Sequence, residues 1–189
     1  MSTAKRLHYG YDEYLRSLEI SELKLEYCDG VIYAMAGGTR AHAQLSAAVI
    51  VAMHASLPKS CRISTSDMKI RVEASDLSTF PDASVICGAP TTSSKDDNAI
   101  TNPALLVEVT SKSTEDYDRG DKLSHYKQIP ALRAVLFVSH RTRSITCVER
   151  SATGWDEREL RSGERLELAN PSVSFGVDEV YDGIELEVA

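Results

Sequence analysis

Apolar positions along this chain change period several times, and each change marks an element. In YDEYLRSLEI, residues 11–20, Tyr11, Tyr14, Leu15 and Leu18 recur at helical spacing. Asp12 and Glu13 favour the first turn of that short helix. The next run, KLEYCDGVIYAMAGG, has two strand-like halves around Asp29-Gly30, a dipeptide that tolerates the positive φ angles of a tight turn. A β-hairpin is predicted there, with Gly37-Gly38 ending its second strand. Residues 41–57 make the best helix, because Leu45, Ala48, Val49, Ala52 and Met53 share one stripe and Pro58 stops the pattern. CRISTSDMKIRV (61–72) predicts one or two bent strands, and DASVIC (82–87) a strand introduced by Pro81. GAPTTSSKDDNAITNP (88–103) reads as a polar loop.

ALLVEVTS (104–111) is nearly continuously apolar, as a central strand covered on both faces should be. Tyr117–Ile129 reads as a second helix, closed by Pro130. RAVLFVSH (133–140) and RSITCVER (143–150) follow as successive strands joined by a short basic turn. Weaker strands at 156–161 and 172–176 and a terminal turn complete the chain. No internal repeat, low-complexity segment or linker interrupts this order. The expectation is a single domain over residues 1–189, of α/β (α+β) class, built around a central mixed β-sheet flanked by helices.

Composition adds exclusions. The chain has 189 residues, 42% hydrophobic and 26% charged, close to the globular average, so disorder, collagen and disulfide scaffolds are poor fits. The longest apolar candidate for a membrane span, Ala41–Leu57, is broken by His42, Gln44, Ser46 and His54, and no stretch reaches the ~20 apolar residues required. The opening MSTAKRLH lacks the apolar core of a secretory signal, so a soluble, cytoplasmic protein without a membrane partner is expected. Cys28, Cys61, Cys87 and Cys147 form no C-x-x-C pair and each has aliphatic neighbours. They read as reduced, small buried hydrophobes of a reducing compartment. The net charge of −7 is concentrated: residues 154–189 carry ten acids and three arginines, leaving residues 1–153 balanced. A neutral body beside an acidic end still permits a locally positive cleft.

Chemistry is signalled by carboxylates in apolar strands. Asp82 opens one strand behind Pro81, and Glu108 interrupts LLVEVTS, where a lone buried charge costs several kcal/mol. Two acids on neighbouring strands suit a hard cation, Mg²⁺ or Mn²⁺, which prefers oxygen ligands. Beside a phosphodiester such an ion activates water and neutralises developing charge. Lys112, Arg119 and Lys122 follow closely, and Lys122 and Tyr126 share a helix face at i, i+4. No P-loop, no G-x-G-x-x-G, no G-x-S-x-G elbow and no H-x-x-x-H zinc spacing occurs.

Pro81-Asp82 followed by Glu108 resembles the PD-(D/E)xK nuclease signature, and the ordered segments resemble the Uma2 family of endonucleases over about residues 24–150. Those segments are LEYCDGVIYAMAGG with His42, CRISTSDMKIRV, FPDASVIC, the long run from NPALLVEVTS to AVLFVS, and SITCVER. The resemblance implies a restriction endonuclease-like core and an endonuclease that hydrolyses DNA with Mg²⁺ or Mn²⁺. It makes Asp82 and Glu108 the metal-binding carboxylates and the Val109 carbonyl a further ligand. The lysine of the bare signature falls at Thr110, and the family's alternative lysine on the following helix corresponds to Lys122. Glu26 matches an early family acid, a ligand through water, and His42 a family histidine without an assigned role. Arg119 and the Arg141/Arg143 turn are the candidates for phosphate contact. A homodimer would be the easiest way to cut two strands, though no interface is identifiable. The alternative is a catalytically silent nucleic-acid- or protein-binding module on the same fold; a weaker one is a small-phosphoester hydrolase.

Overall fold

In the computed structural model, which describes residues 7–35, 37–111 and 115–186, the helical spacing at the N-terminus becomes α1 (Tyr11–Ile20). The hairpin follows as β1 (Leu25–Cys28) and β2 (Val31–Ala34). Its turn uses positive φ at Asp29 (43°) and Gly30 (80°). Glycine suits the positive φ at position 30, a conformation L side chains rarely adopt. The main helix, α2 (Arg40–Ser56), starts at Thr39, whose side-chain oxygen accepts from the His42 backbone N–H.

The strands β3 (Cys61–Thr65), β4 (Lys69–Val72), β5 (Leu77–Thr79), β6 (Ala83–Cys87), β7 (Thr92–Ser93), β8 (Asp96–Ile100) and β9 (Leu105–Val109) come next. Then α3 (Glu115–Tyr117) runs through a π-helical turn, Asp118–Lys122, into α4 (Leu123–Tyr126). The C-terminal part holds β10 (Ala134–Val138), β11 (Ser144–Arg150), β12 (Trp155–Arg161), β13 (Arg165–Ala169), β14 (Ser172–Gly176) and α5 (Val177–Tyr181).

Two six-stranded sheets organise these elements, in the orders β12-β11-β10-β9-β6-β3 and β2-β1-β5-β4-β8-β7, beside a β13-β14 hairpin. The first is mixed, because β9 and β10 are parallel while the other pairs are antiparallel. Alternation along β9 sends Leu105, Val107 and Val109 into one cluster, with Leu45, Val49 and Met53 of α2. Leu106 points the other way, into a cluster with Leu123 and Tyr126 of α4 and Ile70 and Val72 of β4. Both faces are therefore dry, as the unbroken apolar run of β9 requires. Glu108 shares the Leu106 face.

Several expectations change. The expected α+β class and central mixed sheet are present, and a second six-stranded sheet accompanies that sheet. The 88–103 segment is not wholly loop: β8 lies parallel to β4, pairing Ala99 with Lys69. Its strand period is hidden because only Ala99 and Ile100 of β8 are fully buried while Asp97 and Asn98 face outward. The second helix ends at Tyr126 rather than Ile129. The hairpin partner β13 and the helix α5 are additions. Cys61 and Cys87, expected as reduced hydrophobes, are joined by a disulfide, because the β3–β6 register sets them directly opposite. Cys28 and Cys147 are free.

Candidate active site

Glu108 is 4% exposed, and two groups converge on its Oε1. Lys122 Nζ lies 2.9 Å away and the Tyr126 hydroxyl donates at 2.5 Å. The π turn and α4 present both side chains, so the i, i+4 pairing of Lys122 and Tyr126 becomes a shared grip on one carboxylate. Lys122 Nζ also lies 3.5 Å from Asp118 and 3.7 Å from Glu26. Glu26, on β1, accepts from the Thr79 hydroxyl and, at 3.3 Å, from the Phe80 N–H. Thus one ammonium faces three carboxylates from three elements.

Burial pushes the Glu108 carboxyl up to about 8; Lys122 opposes this, while Asp118 and Asp82 reinforce it. Burial alone would lower Lys122, but Glu108 and the other anions hold it well above its ordinary value. The ammonium stays charged while the carboxylate is held in a costly state. A second cation arriving at Glu108 would relieve that cost.

Asp82 sits one residue before β6, where extending the Ala83↔Val107 register puts it opposite Glu108. Its Oδ2 accepts from the Val109 N–H at 2.7 Å, and its Oδ1 accepts from Ser46 at 3.3 Å. His42 Nε2 is 3.4 Å from Oδ2. The hydrogen bond to Asp82 raises the His42 pKa against the opposing effect of burial. Gly38 lets the chain pass close to that imidazole, since a Cβ there would lie 2.7 Å from Nδ1. The first two turns of α2 therefore orient Asp82 from one side while the Val109 N–H holds it from the other.

The family profile described as "Putative restriction endonuclease", Uma2, matches residues 11–178. The chain belongs to the Uma2 family. Among relatives of this Uma2 chain, the uncharacterized protein slr1290 of Synechocystis sp. (strain ATCC 27184 / PCC 6803 / Kazusa) is 38% identical over 175 residues, covering 92% of this chain and 91% of the relative. The uncharacterized protein sll1609 of the same strain is 30% identical over 127 residues, 67% of this chain and 72% of its own. A solved structure from Anabaena variabilis ATCC 29413, described as a putative nuclease belonging to DUF820, superposes with a TM-score of 0.75. At 13% identity, over 92% of this chain and 98% of that one, the likeness is one of fold.

The Uma2 chain brings Glu26, Asp82, Glu108 and Lys122 into one neighbourhood. Thr110, at the place of the bare signature's lysine, is fully buried and bonds to His140 Nδ1 at 2.9 Å. Lys122 reaches Glu108 from the helical side instead. Arg119 donates to Thr146 at 3.1 and 3.2 Å and pairs with Glu115, so its guanidinium lies along the sheet. Arg141 donates to His140 and lies 3.7 Å from Glu115, while Arg143 is exposed on the same turn. Lys112 lies outside the described residues. Asp118, Thr79 and Ser46 were not singled out by sequence. Asp118 had a signal, its i, i+4 spacing from Lys122.

A divalent cation fits this donor set. The acceptors are oxygens, as Mg²⁺ and Mn²⁺ prefer, and carboxylates outnumber the ammonium. Among the described residues no three His, Cys, Asp or Glu side chains are gathered tightly enough to cage an ion. A hard cation would therefore keep several waters, as Mg²⁺ ordinarily does. No described helix is long and apolar enough to cross a membrane.

Proposed function

We propose that this protein is a divalent-metal-dependent endonuclease that hydrolyses phosphodiester bonds in DNA. The observation that carries this reading is the pairing of Asp82 and Glu108 at the end of two central strands, with Lys122 on Glu108 at 2.9 Å. Asp82, Glu108 and the Val109 carbonyl would hold Mg²⁺ or Mn²⁺, which would supply an activated water and neutralise charge on the phosphate. Lys122 positions that water or the phosphate as a compact point charge. Glu26 lies 3.7 Å from Lys122 and would act on a bound ion through water. His42 and Ser46 fix the Asp82 carboxylate, and Tyr126 fixes that of Glu108. Arg143, with the outer edge of Arg141, contacts backbone phosphate.

The test is cleavage of supercoiled plasmid and single-stranded DNA with Mg²⁺, Mn²⁺ or EDTA, beside Asp82→Ala and Glu108→Gln. Metal-dependent cleavage lost in both folded variants supports the reading. Cleavage that survives Asp82→Ala overturns it. A folded protein that neither cleaves nor binds metal, yet binds DNA in a salt-sensitive way, is the silent binding module instead.

A further inference from the structure

Two tyrosines beside the carboxylate cluster keep much of their surface in solvent. Tyr33 lies on β2, the outermost strand of its sheet, directly opposite Glu26 of β1. Opposed residues of an antiparallel pair share a face, so Tyr33 stands on the Glu26 side, and Glu26 is 3.7 Å from Lys122. Tyr117 ends α3 and leads into the π turn that carries Lys122. Its phenol feels Cys28 and Glu26 of β1, Lys122, and Tyr33, so two aromatic residues from different elements border the same few groups.

Their surroundings set them apart from the other tyrosines. Tyr11, Tyr14, Tyr27, Tyr126 and Tyr181 are buried, and each hydroxyl has a hydrogen-bond partner. Tyr33 and Tyr117 are 48% and 36% exposed, the most exposed aromatic residues among those described. Among the described residues neither hydroxyl has a hydrogen-bond partner and neither ring packs on another. The local charge selects what can cover them. Glu108, Asp118 and Glu26 already crowd one ammonium, so a further anion is repelled here, whereas an uncharged planar group is not.

We propose that Tyr33 and Tyr117 form a stacking platform for an unpaired nucleobase, so that the substrate is DNA that is single-stranded at the cut. This deepens the nuclease reading and rests on it, because a phosphodiester held at Asp82 and Glu108 carries its own bases to the edge of the cluster. A base inside a duplex is stacked between its neighbours and meets a protein ring only after leaving the helix. A single strand offers the π-face of every base, and stacking on an aromatic side chain tolerates any sequence.

The test is binding of labelled single-stranded oligonucleotides to the full chain, read by fluorescence anisotropy in EDTA. One strand carries normal bases. The other, of equal length, has abasic sugar-phosphate in place of its central nucleotides, so both present the same phosphate charge and any repulsion common to them cancels in the ratio. Wild type is expected to bind the normal strand at least about 5-fold more tightly. Tyr33→Ala and Tyr117→Ala should each narrow that ratio, whereas Tyr33→Phe and Tyr117→Phe, which keep the rings, should preserve it. Circular dichroism checks each fold, and Tyr117→Leu replaces the alanine variant should that one misfold. A ratio near one in wild type, or no binding of either strand, overturns the proposal. So does a ratio that survives loss of both rings, or an equal loss of affinity for a duplex of the same sequence, whose bases are closed to stacking. Metal-dependent plasmid cleavage without this ratio removes the platform alone; absence of that cleavage is a failure of the nuclease reading.

Discussion

Lys69 and Arg71, on β4, each meet one carboxylate in the N-terminal half, whereas Lys122 meets three. Lys69 Nζ lies 2.6 Å from Asp96, with side-chain exposures of 11% and 6%. Arg71 pairs with Asp76, which also accepts from the Tyr27 hydroxyl at 2.8 Å, and its guanidinium lies 3.9 Å from the Tyr11 ring. Tyr11, Tyr14 and Tyr27 pack with centroids 5.3–5.6 Å apart, so this region docks α1 onto the second sheet. Its charges cancel in pairs. Around Lys122 they do not: Glu108, Asp118 and Glu26 leave a surplus of negative charge inside the protein. Balanced buried pairs hold a fold together without needing anything further. A buried surplus is costly, and a cation offsets it. The difference separates a region whose charges are matched in pairs from one whose charges are not.

The largest expected effect breaks the balanced region. Asp96→Asn leaves the Lys69 ammonium buried and unpaired and should cost about 3–5 kcal/mol in urea unfolding at pH 7. Glu108→Gln, by contrast, should change stability by no more than about 1 kcal/mol, because Lys122 keeps Asp118 and Glu26. Equal losses in the two variants would erase the distinction.

Lys122→Met should also cost about 3 kcal/mol, but in a pH-dependent way. The Glu108 carboxyl is raised from 4.5 to about 8 in the folded protein, burial being the main cause. A raised carboxyl favours folding below its unfolded pKa, and that contribution is lost as pH rises through the folded one. Without Lys122 the folded pKa rises further, so the defect should be small near pH 5 and largest above pH 8. A penalty that grows toward acid would contradict the surplus-charge account.

Divalent metal should stabilise only the unbalanced region. Mg²⁺ at about 100 times its Kd adds about 2.7 kcal/mol to wild type, read as a rise in Tm. Glu108→Gln should blunt this response. A variant of the Arg71–Asp76 pair should show it in full.

The smallest effect concerns Asp76. Burial pushes its carboxyl upward, but hydrogen bonds from Arg71 and Tyr27 and the Arg71 charge hold it below the usual value. A lowered carboxyl contributes stability above its unfolded pKa, and this fades as pH falls through the folded one. Asp76→Asn should therefore be mildly destabilising at pH 7, the effect being limited by solvent at a side chain 42% exposed. The difference from wild type should shrink toward pH 3, in chemical unfolding curves run at each pH.

Much of the fold was legible because its signals are local. The Asp29-Gly30 turn, the α2 stripe and the apolar run of β9 each rest on neighbours a few residues apart, and the structure keeps all three. β8 was illegible because its outward-facing Asp97 and Asn98 hide the strand period, its near partner β7 is only two residues long, and its other partner β4 lies about thirty residues earlier and runs parallel. The Cys61–Cys87 bond was illegible for a similar reason, since register, not spacing, brings the two together. For the site, Asp82 and Glu108 stood out as charges in apolar company. Asp118 did not, because an acid on a predicted helix surface is ordinary.

By itself the sequence determined that one carboxylate ends up in a dry strand, because alternation and apolar flanks leave Glu108 nowhere else to point. It also determined the family. Only the tertiary structure decided which cation answers Glu108. The π turn swings Lys122 onto Glu108, while Arg119, three residues earlier, is laid against Thr146 and Glu115. Thr110, where the signature would carry its lysine, is turned to His140. Those outcomes depend on where distant elements pack, and a chain's local pattern carries no record of distance through space.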